Sequence, residues 1–392
     1  MARRPAARLV ALVLTLIAWP CGVAVAAELY TGGYLSQQFE YDSNVDLSDP
    51  GDDAYGSRSS IGLTLGTRTP AVDLALDGWF KLVRFFNTSQ FDAEDARLTG
   101  RGLWNWRRAT LGLELGVTKD TTLEVEDVQA ARSISANEER LTFDATSTLD
   151  YQFTRLQTGG LTLSYSKRIF PTLSSSEARE LDLEEFSFYR VTGSWRRSLT
   201  PAIGLTGTLG SSYFDSDQEE TITGQAEVGA DYALTPAFRV DGSIGPSIAS
   251  SEAKGLFGDS GTTVGAVWDA GLDYRPSADA ELGARVFQNF EPQSTGGVLV
   301  LRTGLSLTFD YELTRYTSFG LPVEGWREDP VSGDGDIGYY TRVQPGLTFR
   351  LTPQANIQTS YRFRYLDRDE SGISHAVFLD FRYELPPFLT SR

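Results

Sequence analysis

The last strand-length segment of the chain constrains its fold more than any other stretch. Residues 376–385 read A-V-F-L-D-F-R-Y-E-L, so apolar side chains recur at every second position. A period of two is typical of a β-strand with two unlike faces, because successive side chains in a strand point to opposite sides. The aromatic residues Phe381 and Tyr383 stand near its end. The segment predicts an amphipathic strand close to the C-terminus.

The same two-faced alternation recurs from Glu28 onward, and the strand-length segments are joined in turn by short and by long connections. The short connections fall at residues 69–70, 107–108, 154–157, 200–201, 235–236, 276–278, 314–315 and 352–353. The long loops, rich in Gly, Ser and Asp, fall at residues 46–56, 121–138, 171–182, 215–220, 251–261 and 328–336. This alternation predicts an all-β fold over residues 27–392: a transmembrane, antiparallel, up-and-down β-barrel of about 18 strands, with short periplasmic turns and longer extracellular loops.

Two interpretations of the apolar face are open at this point, since a soluble β-sandwich would bury it and a membrane barrel would turn it to lipid. On nearly every strand that runs into a short turn, an aromatic residue of the apolar parity stands just before that turn. They are Trp104, Trp106, Tyr151, Phe153, Trp195, Tyr232, Tyr274, Phe309, Tyr311, Phe349, Phe381 and Tyr383. Amphipathic rings prefer the headgroup level of a bilayer, whereas a sandwich has no reason to collect them at one height. We therefore predict a barrel with a periplasmic aromatic girdle.

The first 26 residues are typical of a cleaved secretory signal peptide. Three arginines precede an apolar run at residues 9–19, and residues 24–26 form a small-x-small cleavage site. A lipoprotein signal is the alternative, but Cys21 follows Trp19 and Pro20 where small residues are needed. We therefore predict cleavage after Ala26, which would leave a mature chain without cysteine and hence without disulfides.

Charge and hydropathy exclude other classes of protein. The net charge is −17, and loss of the three signal-peptide arginines would bring it to about −20, which argues against nucleic acid as a partner. Beyond the signal peptide, no stretch approaches the roughly 18 continuous apolar residues of a membrane helix. If the chain spans a membrane, it does so with strands.

With the apolar parity facing lipid, the other parity lines a lumen too wide for side chains to fill. No room is left for a plug domain, which excludes a plugged 22-stranded transporter and leaves the loop at residues 121–138 to narrow the passage. The candidate lumen-lining charges are Arg342, Arg350, Arg362, Arg364, Arg382, Asp310, Glu312, Asp380 and Glu384. Two roles are open for them: cross-strand ion pairs that brace the barrel, or a charged lining that selects an anionic solute.

No group of residues predicts catalysis, a metal site or a cofactor. His375 is the only histidine, and its parity directs it toward lipid, away from any partner that could orient it as a base. The acidic loops hold carboxylates that could bind divalent cations, but like charges on exposed loops are more simply explained by solvation. Asp334-Gly335-Asp336 is too short for a calcium loop.

The run at residues 38–45, Q-F-E-Y-D-S-N-V, resembles the first strand of the β-barrel porin type 2 family, and the closing strand and the L-T-P turns are similar to that family too. The closing strand also resembles those by which the β-barrel assembly machinery recognises outer-membrane barrels. The resemblance covers the whole mature chain and implies an integral outer-membrane protein in contact with lipid and lipopolysaccharide. For some members it implies export of a surface polysaccharide together with a periplasmic export protein.

Two functions follow as hypotheses: a channel for a surface polysaccharide or related polar solute, and a passive diffusion porin for small hydrophilic molecules. A structural adhesin or a barrel enzyme is a more remote alternative. The two channel hypotheses differ in the shape of the lumen. A polymer conduit should lack an inward-folded constriction, which a diffusion porin usually carries.

Overall fold

The computed structural model describes residues 27–47, 51–122, 137–173, 183, 185–254, 260–292, 298–331, 337–367 and 371–386. The predicted signal peptide lies outside the described residues, as do residues 123–136 of the loop predicted to narrow the lumen and residues 334–336. Most of the described chain is β-strand, apart from a short 3-10 helix at Ser89–Phe91.

The strands follow one another along the chain as nineteen segments. They are β1 (Glu28–Asp42), β2 (Ala54–Arg68), β3 (Val72–Phe85), β4 (Ala93–Asn105), β5 (Ala109–Thr121), β6 (Glu139–Thr154), β7 (Gln157–Ile169), β8 (Phe186–Ser198), β9 (Ile203–Ser216), β10 (Glu219–Thr235), β11 (Phe238–Ala253), β12 (Ser260–Ser277), β13 (Ala280–Pro292), β14 (Leu299–Thr314), β15 (Thr317–Pro330), β16 (Gly338–Val343), β17 (Gly346–Arg350), β18 (Ala355–Asp367) and β19 (Ser371–Leu385).

One crossing of the barrel wall is made by two short strands. β16 and β17 both pair with β15 on one side and with β18 on the other. The interruption falls at Gln344 and Pro345, because proline has no N–H to contribute to a ladder. Hydrogen bonds of 3.0 Å bridge the gap, from Gln344 N–H to the Pro322 carbonyl and from Tyr361 N–H to the Pro345 carbonyl. The wall therefore has 18 crossings, as the sequence predicts.

The first and last strands close the sheet. β1 pairs antiparallel with β19 from Gly33 opposite Leu385 to Asp42 opposite Ala376. Every crossing consequently has an antiparallel neighbour on each side. A closed ladder satisfies backbone N–H and C=O groups that lipid cannot satisfy, which is why barrels can span membranes. The predicted fold class is confirmed.

Threonine side chains shape several of the short connections. In four of them, a threonine Oγ1 atom accepts a hydrogen bond of 2.9–3.1 Å from the backbone N–H of the residue three positions later. The threonines are Thr69, Thr200, Thr314 and Thr352. These bonds replace ladder bonds within a tight turn. We call the end that carries these turns, the start of β1 and the end of β19 the short-turn end, and the opposite end the long-loop end.

The outer face of the wall is apolar and exposed. Leu209, Val228 and Val264 point outward with 68%, 71% and 74% of their surface accessible, and similar side chains occur on strands all round the barrel. A soluble sandwich would bury such residues, so that interpretation is wrong. Among the described residues, no helix is long and apolar enough to cross a membrane.

A buried ion cluster fastens the closing seam near the long-loop end. Asp42 on β1 accepts hydrogen bonds at 2.8 Å from both Arg362 and Arg364 on β18, and one at 2.6 Å from Ser374 on β19. All four residues are buried. β19 separates β18 from β1 in the ladder, so the cluster ties three strands together at the point of closure.

The first prediction tests which face meets lipid. Leu307→Arg should impair barrel assembly, because Leu307 has outward register and a charge facing the middle of a bilayer costs about 2–4 kcal/mol. Its neighbour Thr308 has inward register, so Thr308→Arg is the matched control and should assemble normally. The heat-modifiable gel band of folded barrel measures both. Equal assembly of the two variants would mean that the faces are reversed.

The second prediction tests the ion cluster. Asp42→Asn should destabilise the barrel by about 3–5 kcal/mol, since two buried guanidinium groups lose a shared carboxylate. The control is Glu384→Gln, which removes the partner of a partly exposed arginine, Arg382, on the same wall and should change stability by no more than about 1 kcal/mol. Urea unfolding in lipid, followed by the heat-modifiable band, gives both midpoints. If both variants unfold at the same urea concentration, the cluster does not hold the seam.

Candidate functional site: the lumen

The inner face of the wall carries the nine charged residues that the sequence assigns to the lumen. The ladder register places all of them on the parity opposite to the exposed apolar side chains. They are Arg342, Arg350, Arg362, Arg364, Arg382, Asp310, Glu312, Asp380 and Glu384. Their surroundings differ sharply between the two ends of the barrel.

Toward the short-turn end, the lining charges are accessible from the lumen. Arg350, Asp310 and Glu312 are exposed, and Arg382 forms a 2.5 Å ion pair with Glu384 that is about half exposed. Side chains that remain exposed on the inner face border an open interior. Water and hydrophilic solutes can therefore reach this half of the wall.

Several arginines in this half have an acidic partner close by. The pairs are Arg68–Asp73 at 2.6 Å, Arg196–Asp231 at 2.8 Å, Arg275–Glu281 at 2.7 Å and Arg285–Asp269 at 2.6 Å. Each pair places both signs of charge at one point of the lining. This half of the lumen is therefore polar without a single dominant sign of charge.

At the long-loop end, the surroundings of the arginines distinguish between the two roles that the sequence leaves open. Arg362 and Arg364 are buried against Asp42, so a solute in the lumen does not contact them. Arg342 is largely covered and pairs with Glu324 at 2.8 Å. At these three positions the structure supports the bracing role, because the charges are already neutralised within the wall.

The connection after β1 folds into the mouth of the barrel at the long-loop end. Leu47 is only 1% exposed and packs with Tyr340 and Leu366 on the inner face of β16 and β18. Arg364 holds the same segment, since its Nη2 donates to the Asn44 carbonyl at 3.2 Å. Leu47 has a φ of 55°, a left-handed conformation that is unfavourable for leucine and persists where the surrounding packing imposes it.

The ends of β13 and β14 also enter the lumen. Arg190 on β8 donates from Nη2 to the Phe290 carbonyl on β13 at 2.9 Å, and the Leu299 N–H on β14 donates to Glu219 on β10 at 2.8 Å. In the ladder, β13 is five strands from β8, and β14 is four strands from β10. These hydrogen bonds therefore cross the interior and do not run along the wall.

An apolar cluster surrounds these crossing contacts. Its buried members are Phe186, Phe188, Phe214, Ala249, Val267, Phe290 and Leu299. The first five face inward from β8, β9, β11 and β12, whereas Phe290 and Leu299 have the outward register of their own strands. The outer side of β13 and β14 thus packs on the inner side of the opposite wall. This packing requires the two strand ends to bend into the lumen.

A charged network lies on the lumen side of the bent ends. Arg302 bridges Glu291 at 2.8 Å and Glu328 at 2.5 Å. Its guanidinium also lies over the Trp326 ring, 5.2 Å from the centroid, and that ring stacks on Tyr340 at 4.4 Å. Because Tyr340 also contacts Leu47, the network joins the bent strand ends to the folded-in loop.

Sequence reasoning missed this constriction. Its one visible signal is the F-S-F run at 186–188, which places two aromatic residues on the polar parity beside a long loop. Aromatic residues on that parity cannot belong to a lipid-facing girdle, so they need a partner inside the barrel. The loop at residues 121–138, which the sequence suggested instead, is mostly outside the described residues.

The other residues singled out from the sequence lie on the outer face. Trp106 lies in the turn just after β4. The other girdle residues have outward register near the short turns: Trp104, Tyr151, Phe153, Trp195, Tyr232, Tyr274, Phe309, Tyr311, Phe349, Phe381 and Tyr383. His375 also faces outward, and its Nδ1 lies 2.7 Å from the Tyr361 hydroxyl. Within the described ranges, no three potential metal ligands come together.

Comparison with known proteins supports the fold. No family model matches the chain, and no curated protein matches it in sequence. Solved barrels do match in structure. OpdO of Pseudomonas aeruginosa is 13% identical, with 92% of this chain and 97% of that chain covered and a TM-score of 0.50. OccAB4 of Acinetobacter baumannii is 10% identical, with 93% and 99% covered and a TM-score of 0.50.

At this level of identity the likeness shows the fold alone. The resemblance to the β-barrel porin type 2 family, drawn from residues 38–45 and from the closing strand, is supported only as far as the barrel fold. The comparisons lend no support to polysaccharide export. What this chain shares with the solved structures is a closed, 18-stranded, antiparallel barrel of the Occ porin type.

Proposed function

We propose that this protein is an outer-membrane channel for the passive diffusion of small hydrophilic solutes. One observation carries the proposal: the lumen is open and polar at the short-turn end, and chain segments packed inside the barrel narrow it at the long-loop end. A constriction of this kind limits solutes by size while leaving a water-filled route.

The same observation weighs against a polymer conduit. A polysaccharide strand needs a continuous unobstructed bore, whereas hydrogen bonds between Arg190 and Phe290 and between Glu219 and Leu299 span the interior. The porin hypothesis accounts for these contacts as a size filter. The export hypothesis, with its periplasmic export partner, rests on the sequence resemblance alone.

The proposed location is the outer membrane, with the short turns facing the periplasm. The exposed apolar outer face and the girdle near the short turns support an integral barrel. On this proposal, the N-terminal segment directs export and is cleaved after Ala26, and the amphipathic β19 is the strand presented to the assembly machinery. N-terminal sequencing of the mature protein tests the cleavage position.

The accessible lining supports a channel with weak charge preference. Arginine and carboxylate groups occur as close pairs along the open half of the lumen, so a passing solute meets both signs together. Strong anion selectivity would need a ring of unpaired cations. We propose that solute size, more than charge, limits passage.

The third prediction concerns size. Liposomes that contain the purified barrel should swell rapidly in a monosaccharide, more slowly in a disaccharide and very little in longer oligosaccharides, because the constriction excludes larger solutes. Swelling rates measured by light scattering give the order. Liposomes without protein are the control. Equal rates for a monosaccharide and a long oligosaccharide, or no protein-dependent swelling at all, would contradict the proposal.

The fourth prediction concerns the constriction. Arg190→Met should raise single-channel conductance in planar bilayers, because it keeps the apolar stem of the side chain but removes the donor that holds Phe290 across the lumen. Arg196→Met is the matched control, since Arg196 lies on the same strand and face but pairs with Asp231 in the open half. An unchanged conductance for Arg190→Met would show that the bent strand ends do not limit flow.

A further inference from the structure

The barrel wall is incomplete between β12 and β13. These strands pair only from Trp268 opposite Gln288 to the short turn. Toward the long-loop end, residues 260–267 of β12 pair with β11 alone, and residues 289–292 of β13 pair with β14 alone. The separation begins where β13 bends into the lumen. Within the described part of the chain, it leaves eight residues of β12 with one free edge.

The free edge exposes backbone polar groups. The side chain of Gln288 donates to the Ala266 carbonyl at 2.7 Å. Ala266 therefore directs its backbone groups toward the side of β12 on which β13 no longer pairs with it. Because every second residue of a strand directs its backbone N–H and C=O to the same side, those of Thr262 and Val264 also point toward the free edge. Gln288 in turn accepts a hydrogen bond from Thr303 on β14 at 2.9 Å. Beyond this one bridge, no other described residue pairs with the edge, so its backbone groups can bind an external polar group.

The depth of the edge in the membrane follows from strand length. Val264 stands ten residues before Tyr274, a member of the girdle near the short turns. Because a tilted strand crosses the hydrocarbon layer in about 9–11 residues, Val264 lies close to the opposite boundary of that layer. Hydrocarbon could not satisfy an open strand edge, but the polar headgroups of a leaflet can.

A groove on the outer face begins at the base of this edge. It encloses about 740 Å³ and runs from Trp268 on β12 across the outward faces of β13–β16 to β18. Val286 and Leu305 supply apolar surface, and Gly325 forms part of a shallow floor. The inward bend of β13 and β14 gives a groove where a regular barrel would be convex.

The far side of the groove is polar. Arg327 lines it and binds Asp329 through Nε and Nη2, at 3.0 and 2.6 Å. A guanidinium has five N–H donors, so Nη1 remains able to bind a second anionic group. Tyr365 donates to Asp367 at 3.2 Å on the same rim. The groove therefore combines apolar surface toward the bilayer centre with hydrogen-bonding groups at headgroup level.

We propose that this groove, together with the free edge of β12, binds one outer-leaflet glycolipid. The acyl chains lie against Trp268, Val286 and Leu305. The phosphorylated sugar headgroup binds Arg327 and the backbone groups of the β12 edge. The proposal rests on the outer-membrane location in the proposed function but not on channel activity.

A glycolipid fits these features better than a protein strand does. An added strand would use the edge alone, and it would leave the adjacent groove and Arg327 without a role. An amphiphile uses all three, since its apolar and polar parts meet at the depth where the groove meets the edge. Its sugar hydroxyl groups can both donate to and accept from an open strand edge.

The fifth prediction tests the site with lipid A as the probe. The intact barrel, extracted from outer membranes in mild detergent and mixed with purified lipid A, should retain one lipid A molecule in native mass spectra. Gly325→Leu should lower occupancy about tenfold by filling the groove, and Arg327→Glu should do the same by repelling the phosphate. A β-carbon at Gly325 makes only ordinary contacts of 3.4–3.5 Å, so the barrel itself tolerates the change.

The control is Gly100→Leu, at an outward-facing glycine of β4 with no atom within 4 Å of an added β-carbon. It should retain lipid A as the wild type does. Equal retention in all four proteins would indicate unspecific surrounding lipid and overturn the proposal, as would no retention by the wild type. Barrel dimers lost on Gly325→Leu would instead assign the groove to a second copy. Heat-modifiable mobility on gels confirms that each variant is folded. If Gly325→Leu does not assemble, lipid A retention is compared between Arg327→Glu and the wild type.

Solute flux does not enter this measurement. A barrel that binds lipid A but passes no solute would overturn the proposed function and leave the lipid site intact. A barrel that passes solutes but binds no lipid A would overturn the lipid site and leave the proposed function intact. The two proposals therefore fail separately.

Discussion

Closure of the hydrogen-bond ladder is the constraint on which the rest of this structure depends. A strand in hydrocarbon must pair with a neighbour on each side, because an unpaired backbone N–H or C=O finds no partner there. The ladder between β1 and β19 meets that requirement, and the Asp42 cluster reinforces it with side-chain bonds across the same seam. A closed sheet in a membrane turns its apolar face to lipid and its polar face to the lumen, and the charge clusters and the constriction follow from that orientation.

Turning the polar face inward concentrates charge within the barrel. Near the short-turn end this charge borders open space, and its ion pairs are exposed and individually weak. Near the long-loop end, folded-in segments cover the charges, and burial makes pairing obligatory. Two ion clusters result from this burial. One joins Asp42 to Arg362 and Arg364, and the other joins Arg302 to Glu291 and Glu328. One set of residue types therefore lines a route at one end and forms a packed closure at the other.

The bend at the ends of β13 and β14 has two consequences. On the inside, it brings Phe290 and Leu299 against the aromatic cluster of β8 and β9 and narrows the lumen. On the outside, it separates β13 from β12 and makes the wall concave around Trp268. The proposed size filter and the proposed lipid site thus arise from the same departure from a regular barrel. The free edge is tolerable because it lies where the hydrocarbon ends.

The sequence by itself determined the wall of this protein. A period of two sets the alternation of faces, threonine-rich turns alternate with long loops, and aromatic residues before the turns mark one boundary of the membrane. These signals are local, so they could be taken from short windows of the chain and summed to about 18 strands. The outward register of Leu307 and the inward register of Arg362 follow from the same rule.

Only the tertiary structure decided what fills the lumen and where the wall opens. Asp42 meets Arg362 across 320 residues of sequence, and Arg190 meets Phe290 across 100. The alternation of side chains within one strand does not reveal which distant strand end will bend into the lumen and contact that strand. Parity could place Arg362 and Arg364 inside but could not show that they are buried, because burial depends on the loop that folds over them. The free edge of β12 arises in the same way, since pairing is a property of two strands and the sequence of one cannot reveal that its neighbour has turned away.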